Sequence, residues 1–237
     1  MNHKTVLLFI SIIFAQVGVC QIAEKDPYGR DLKSLTLNKR GPNQDKYSHF
    51  FLSYGFVSGL DNDSSEVIFG KSGSFSVGYL WKWRLAKWSE IGFDIAYHRS
   101  AYHIVQDSTK TIPTAQLHKK EKLVFNSIMT SPFIRFKLVN KIHSNGTFID
   151  LGGFAGWQHD VRHKTLENNP NPGSDKTRTI NTRLDYKRDY TYGVLARVGF
   201  NRFVFYGRYR LSDLFTDESG LKELPLYEFG MRIGIHQ

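Results

Sequence analysis

Four carboxylates, Asp94, Asp150, Asp189 and Glu228, and four guanidinium groups, those of Arg197, Arg208, Arg210 and Arg232, stand in segments whose other phase is apolar. Successive side chains of an extended strand face opposite sides, so these charges share the face the apolar residues leave. Equal and opposite charges on one enclosed face are expected to pair, because an unpaired buried charge is strongly disfavoured. A proton or anion path and a catalytic constellation are the competing readings. His98 and Ser100 share a face and His103 follows them, but no Gly-x-Ser-x-Gly elbow is present. His159 and His163 are four apart, a ligand spacing on a helix, whereas four strand residues span about 13 Å, too far for one metal. Asp61-Asn62-Asp63-Ser64-Ser65-Glu66 lacks the glycine and the distant glutamate of a calcium loop. The residues therefore predict a lumen charge network and no catalytic, cofactor or metal site.

The elements that must carry these charges follow from period-two alternation. Phe50 to Phe56, Gly73 to Trp83 and Ile91 to Tyr97 alternate first, and a longer segment runs from Leu123 to Val139. Within it Pro132 marks an expected bulge or phase change. Ile149 to Trp157, Tyr190 to Val198, Phe203 to Leu211 and Tyr227 to Ile235 complete about eight strands. No apolar 3.6-residue period follows the leader.

Connection lengths alternate as well. The links around Ala86-Lys87, through Asn140 to Gly146 and at Asn201-Arg202 are short. Those after the first, third, fifth and seventh strands are longer, with Gln106 to Glu121 and Arg162 to Arg183 expected as long loops. Tight turns at one end and extended loops at the other are the pattern of a closed antiparallel up-and-down transmembrane β-barrel. In such a barrel "GSFSVGYLWKW" puts its aromatics toward lipid. Tyr79, Trp81, Trp83 and Phe203 gather near the short turns as an interface girdle. An eight-stranded lumen is just wide enough for side chains to fill, which predicts a plugged interior. A soluble lipocalin-like barrel or sandwich with the aromatics inside remains the alternative, since alternation alone does not say which face is inward.

The 237 residues carry a net charge of +10 and one cysteine. His3 and Lys4, the apolar run Val6 to Ala15 and the small residues up to Cys20 have the three-part form of a signal peptide. Residues 1–20 are thus expected to be cleaved, 21–47 to form a flexible periplasmic segment and 48–237 to form the barrel. Cys20 as a lipidated residue fits less well, because Val19 precedes it. The dispersed basic residues match no nucleic-acid motif, whereas those in the long loops, such as Lys119, Lys120, Arg162, Lys164, Lys176 and Arg178, suit anionic lipid and lipopolysaccharide.

The final stretch, "YGRYRLSDLFTDESGLKELPLYEFGMRIGIHQ", resembles the C-terminal strand pair of small outer-membrane barrels of the PorT-like group, which share the OmpA/OmpX-like eight-stranded architecture. Tyr209 to Phe215 match its corner, and Pro225, Gly230, Ile233 and Gly234 its last loop and strand. The chain departs from the common pattern by ending on Gln237 rather than an aromatic residue. The resemblance implies residence in the outer membrane of a Gram-negative bacterium and a link to secretion. The expected function is a non-enzymatic structural or accessory component of an outer-membrane secretion or assembly complex, with other outer-membrane proteins as partners. A narrow solute channel and a lipid-modifying enzyme are the alternatives.

Overall fold

The computed structural model describes residues 44–58, 67–108, 110–141, 144–168, 176–182 and 184–235. Residues 1–43, with the leader and Cys20, lie outside these, as do Asp61 to Glu66 and Gln237.

The described residues form one antiparallel sheet of nine strands: β1 (Lys46–Ser58), β2 (Gly73–Arg84), β3 (Ser89–His103), β4 (Lys120–Lys141), β5 (Ser144–Asn168), β6 (Lys176–Thr182), β7 (Tyr190–Phe200), β8 (Phe203–Arg210) and β9 (Tyr227–Ile235). Each strand pairs with its sequence neighbour except at β6, which adds to the outer part of β5. β5 also pairs with β7, and β1 pairs with β9. Eight strands thus close a ring and leave no edge in it. One 3₁₀ turn, Asp217–Ser219, interrupts the last long loop.

Residues 85–88 and 201–202 make the β2–β3 and β7–β8 connections at one end of the ring, where β4 also gives way to β5. Asn201 takes the left-handed conformation that its two-residue turn requires, with φ 58°. The other end carries the long connections, as their spacing in the sequence predicts. Two expectations are corrected there. The stretch from Arg162 to Arg183 is not one loop: β5 continues to Asn168 and hairpins with β6. The phase change is also not at Pro132, which faces outward and holds regular register opposite Phe93. Register shifts instead between Lys137 and Val139 and again before Lys141 at the end of β4, and in β5 opposite the step from Asn126 to Ser127. Gln158 points inward before the shift, and Val161 and His163 point inward after it.

The apolar phase faces out. Phe50, Leu52 and Tyr54 on β1, Ile91 and Ile95 on β3, and Val194 and Val198 on β7 are all exposed. Aromatics gather in two rows. At the short-turn end Tyr79 packs on Phe50 and Trp81 at 4.6 and 4.7 Å between centroids, and Phe93 takes both Trp81 and Trp83. Phe200 and Phe203 are exposed at the same end. Toward the long loops stand Tyr97, Trp157, Tyr190, Tyr192, Tyr209 and Tyr227.

Inside, large rings lie on glycines of the neighbouring strand. Phe51 pairs with Gly78, Phe133 with Gly92, Phe154 with Gly193 and Phe148 with Gly199. A Cβ built on any of the four would meet the facing ring at 2.0 to 2.8 Å. The missing side chains are what let the rings fold flat across a narrow interior, a pairing that also shields the glycine backbone. At the long-loop end a second apolar cluster joins strand residues Val57, Tyr102, Leu123 and Phe125 to loop residues Ile104, Ile112, Leu184, Leu214, Phe215 and Leu224. The loops therefore close the ring from above.

Candidate functional site

Asp94, from the middle of β3, reaches the centre of the ring. Its Oδ2 accepts hydrogen bonds from Arg197 of β7 at 2.6 Å and from Arg232 of β9 at 3.0 Å. Asp150 on β5 accepts two from Arg135 on β4, at 2.7 and 2.9 Å, and lies 3.8 Å from Arg197. Nearer the short turns Glu90 takes Lys82 at 2.8 Å and Lys137 at 2.5 Å, with Arg135 at 3.8 Å. The chain of alternating charge thus runs from Lys82 through Glu90, Arg135, Asp150, Arg197 and Asp94 to Arg232. The guanidinium of Arg135 lies 3.6 Å from the centre of the Phe148 ring, and that of Arg232 lies 3.6 Å from the centre of Phe51. Edge-on carboxylates and face-on aromatics together hold each planar cation.

A second cluster lies one layer closer to the long loops. Glu228 Oε1 accepts from Ser74 at 2.6 Å, from Tyr206 at 2.9 Å and from Arg208 at 3.4 Å. His98 Nε2 stands 3.5 Å from Glu228 Oε2. Its Nδ1 faces Arg208 at 3.3 Å and Ser76 Oγ at 2.8 Å. An arginine only donates, so Nδ1 is an acceptor and the Ser76 hydroxyl donates to it. Above this cluster Arg210 holds the carbonyls of Ser212 and Leu224 at 2.6 and 2.8 Å and the Glu223 carboxylate at 2.8 Å. It thereby ties the last long loop down over the ring.

Seven of the eight charges expected in the interior are there. Asp189 is not: it is exposed at the rim, paired with Lys187, and its backbone oxygen accepts from Gln158 at 2.7 Å. It immediately precedes β7 rather than lying within it, so strand alternation does not govern it. Sequence reasoning missed Lys82, Glu90, Arg135 and Lys137. The signal was present, since all four stand on the inward phase of their strands, but flanking turn residues and Pro132 obscured that phase.

The serine that meets His98 is Ser76, directly opposite it on β2, and not Ser100. Ser76, His98 and Glu228 hold the atoms of a nucleophile relay. The space beside them is a cavity of about 40 Å³ among His98, Gln158, Thr191, Arg208 and Glu228. Ser76 is itself fully buried. The cavity has room for a few waters, which would serve Gln158 Oε1 and Arg208 Nε, and no room for an acyl chain or a sugar. His159 and His163 face opposite sides: His159 lies tilted beside Tyr97 and Trp157 on the outside, and His163 Nε2 meets Glu121 at 2.6 Å inside. Among the described residues no three His, Cys, Asp or Glu side chains converge as a metal site.

No family model, curated protein or solved structure matches this chain.

The outer wall has one further feature. Across β5, β7, β8 and β9 a groove of about 520 Å³ opens outward, with Ala196 and Gly207 paired at its floor and Tyr209, Tyr227 and Phe229 along one side. A Cβ at Gly207 would meet nothing within 4 Å.

Proposed function

We propose that this protein is an integral β-barrel of the outer membrane of a Gram-negative bacterium, exported through its leader, and that its role is structural or accessory within an outer-membrane secretion or assembly complex. One observation carries the reading. The closed ring is inside-out relative to a water-soluble barrel, with paired Arg, Asp and Glu in its centre and aliphatic and aromatic side chains around its outside. Lipid requires such a wall and also requires every backbone polar group to be paired, which closure achieves.

The dimensions agree. Outward residues on the 11-residue strand β7 run from Tyr190 to Phe200. Ten steps at about 3.3 Å, for a strand tilted by about 40°, rise about 25 Å, the height of an outer-membrane apolar band. Both described chain ends lie at the short-turn end, the periplasmic end of such barrels. The packed and salt-bridged interior disfavours a diffusion pathway, and the buried Ser76 disfavours hydrolysis of a lipid. The outer wall and the rim remain as working surfaces, which supports an accessory role. So does the resemblance of Tyr209 to Gly234 to PorT-like barrels.

Electrophoresis of detergent-folded protein, heated and unheated, tests the architecture. A faster unheated band with a β-rich circular dichroism spectrum is expected, and a water-soluble chain without that band overturns it. In planar bilayers the folded protein is expected to give no discrete conductance steps. Lipid A from cells with and without the protein is expected to have the same mass, and a mass change abolished by His98→Ala would instead establish an enzyme.

A further inference from the structure

Above the last lipid-facing row the outer wall turns basic. Tyr97, Ile128 and Trp157 stand side by side across β3, β4 and β5 and end the apolar face. Six residues further along β4, Lys122 is paired with His103 on one side and Lys164 on the other. Like charges placed directly opposite on neighbouring strands destabilise a sheet. Lys120 and Arg178 flank the same spot, and these five residues line a hollow of about 140 Å³ together with Glu121, Thr165 and Leu166.

The nearby carboxylates do not relieve this repulsion. Glu121 points inward to Lys110 and His163, Asp160 is paired with Arg162, and Glu167 with His118. Among the described residues none pairs with Lys122, Lys164 or Arg178. The two titrating groups respond accordingly. His103 is held below its ordinary range by burial and then by Lys122, Lys71 and Lys120; Lys164 is held down by burial and then by Arg99, Arg162 and Lys122. A sheet that keeps such a column unrelieved is set up for an anion from outside.

Height selects the anion. Six steps at about 3.3 Å on a strand tilted by about 40° put Lys122 about 15 Å above Ile128. The polar zone of a phospholipid leaflet is only about 5 to 7 Å deep, so a phospholipid phosphate lies too low. A phosphate on a saccharide headgroup stands higher. We propose that Lys122, Lys164, Arg178 and His103 bind a phosphate carried by the saccharide headgroup of an outer-leaflet glycolipid. The proposal rests on the transmembrane reading above.

Native mass spectrometry of the detergent-folded full chain tests it. The chain is titrated separately with a phosphorylated glycolipid, the same glycolipid after phosphatase treatment, phosphatidylglycerol, and inorganic phosphate. The phosphorylated glycolipid is expected to bind at least about tenfold more tightly than the other three, since each charge-assisted hydrogen bond supports about that factor. Lys122→Ala with Lys164→Ala is expected to erase the preference, while Lys87→Ala, at the opposite end, leaves it. Without ligand the double substitution should raise the unfolding midpoint by relieving repulsion, which separates lost binding from lost folding. Equal binding of the phosphatase-treated lipid, of phosphatidylglycerol or of inorganic phosphate overturns the proposal. If the heat-modifiable band is present when that happens, the site alone has failed; if the band is absent, the membrane reading has failed with it.

Discussion

Asp94 and Arg197 are 103 residues apart in sequence and 2.6 Å apart in the centre of the ring, both buried, with Arg232 completing the contact at 3.0 Å. Asp94→Ala would leave two guanidinium groups without this carboxylate. The expected loss is about 3–5 kcal/mol, as when one partner of a buried ion pair is removed. Asp189→Ala, at the exposed rim, should change stability by no more than about 0.5 kcal/mol. Urea unfolding of both variants in lipid vesicles measures the contrast, and similar values for the two would refute the described network.

Gly199 lies under the Phe148 ring, and a Cβ there would meet ring carbons at 2.0 to 2.4 Å. Gly199→Ala is therefore expected to cost about 1–3 kcal/mol through overpacking. Combining it with Phe148→Leu should recover part of that loss, with a coupling of about 0.5 kcal/mol or more between the contacting sites. Strict additivity in the same unfolding assay would mean that the ring does not lie over the glycine.

Outward positions should respond to charge according to depth. Ile95 is exposed on the middle of β3, between Phe93 and Tyr97, whereas Phe203 opens β8 beside a short turn. In vesicles Ile95→Arg is expected to cost about 2–4 kcal/mol and Phe203→Arg about 0–1 kcal/mol. A negligible cost at both positions would show that no lipid surrounds the wall.

Glu121 joins the third connection to the ring. Lys110 and Gln106 reach its carboxylate from the loop, and His163 reaches it from β5. Burial raises this carboxyl's pKa, but the hydrogen bonds from His163, Lys110 and Gln106 outweigh burial and leave it below the ordinary glutamate range. A depressed carboxylate stabilises the fold above its unfolded value, and that contribution disappears as pH falls through the folded one. Hydrogen-exchange protection around Ile104, whose amide bonds to the Glu121 carbonyl at 3.1 Å, should accordingly hold from pH 7 to about pH 5 and decline below about pH 4. Glu121→Gln should lower protection at pH 7 and flatten that decline. A wild-type drop that is complete above pH 5.5 would refute this role for Glu121.

Much of the architecture is written in local pattern. Alternation at Phe50 to Phe56, Gly73 to Trp83 and Tyr190 to Val198 marks strands because side chains of an extended chain change sides at every residue. The alternation of short and long links marks one end of the ring from the other. Asp94, Asp150, Arg197, Arg208, Arg210, Glu228 and Arg232 are legible as one charged face for the same reason. Local pattern is silent wherever register decides. Ser76 meets His98, and Phe148 meets Gly199, because two particular strands align at those residues, and nothing within either strand names its opposite number. The bulge in β5 reverses inside and outside beyond Gln158, which only the facing strand reveals. Whether the charged face encloses itself, which carboxylate takes which arginine, and which loop residues close the ring were decided by closure. A curved sheet brings together side chains from strands distant in sequence, and burial then makes each charge's partner a condition of folding.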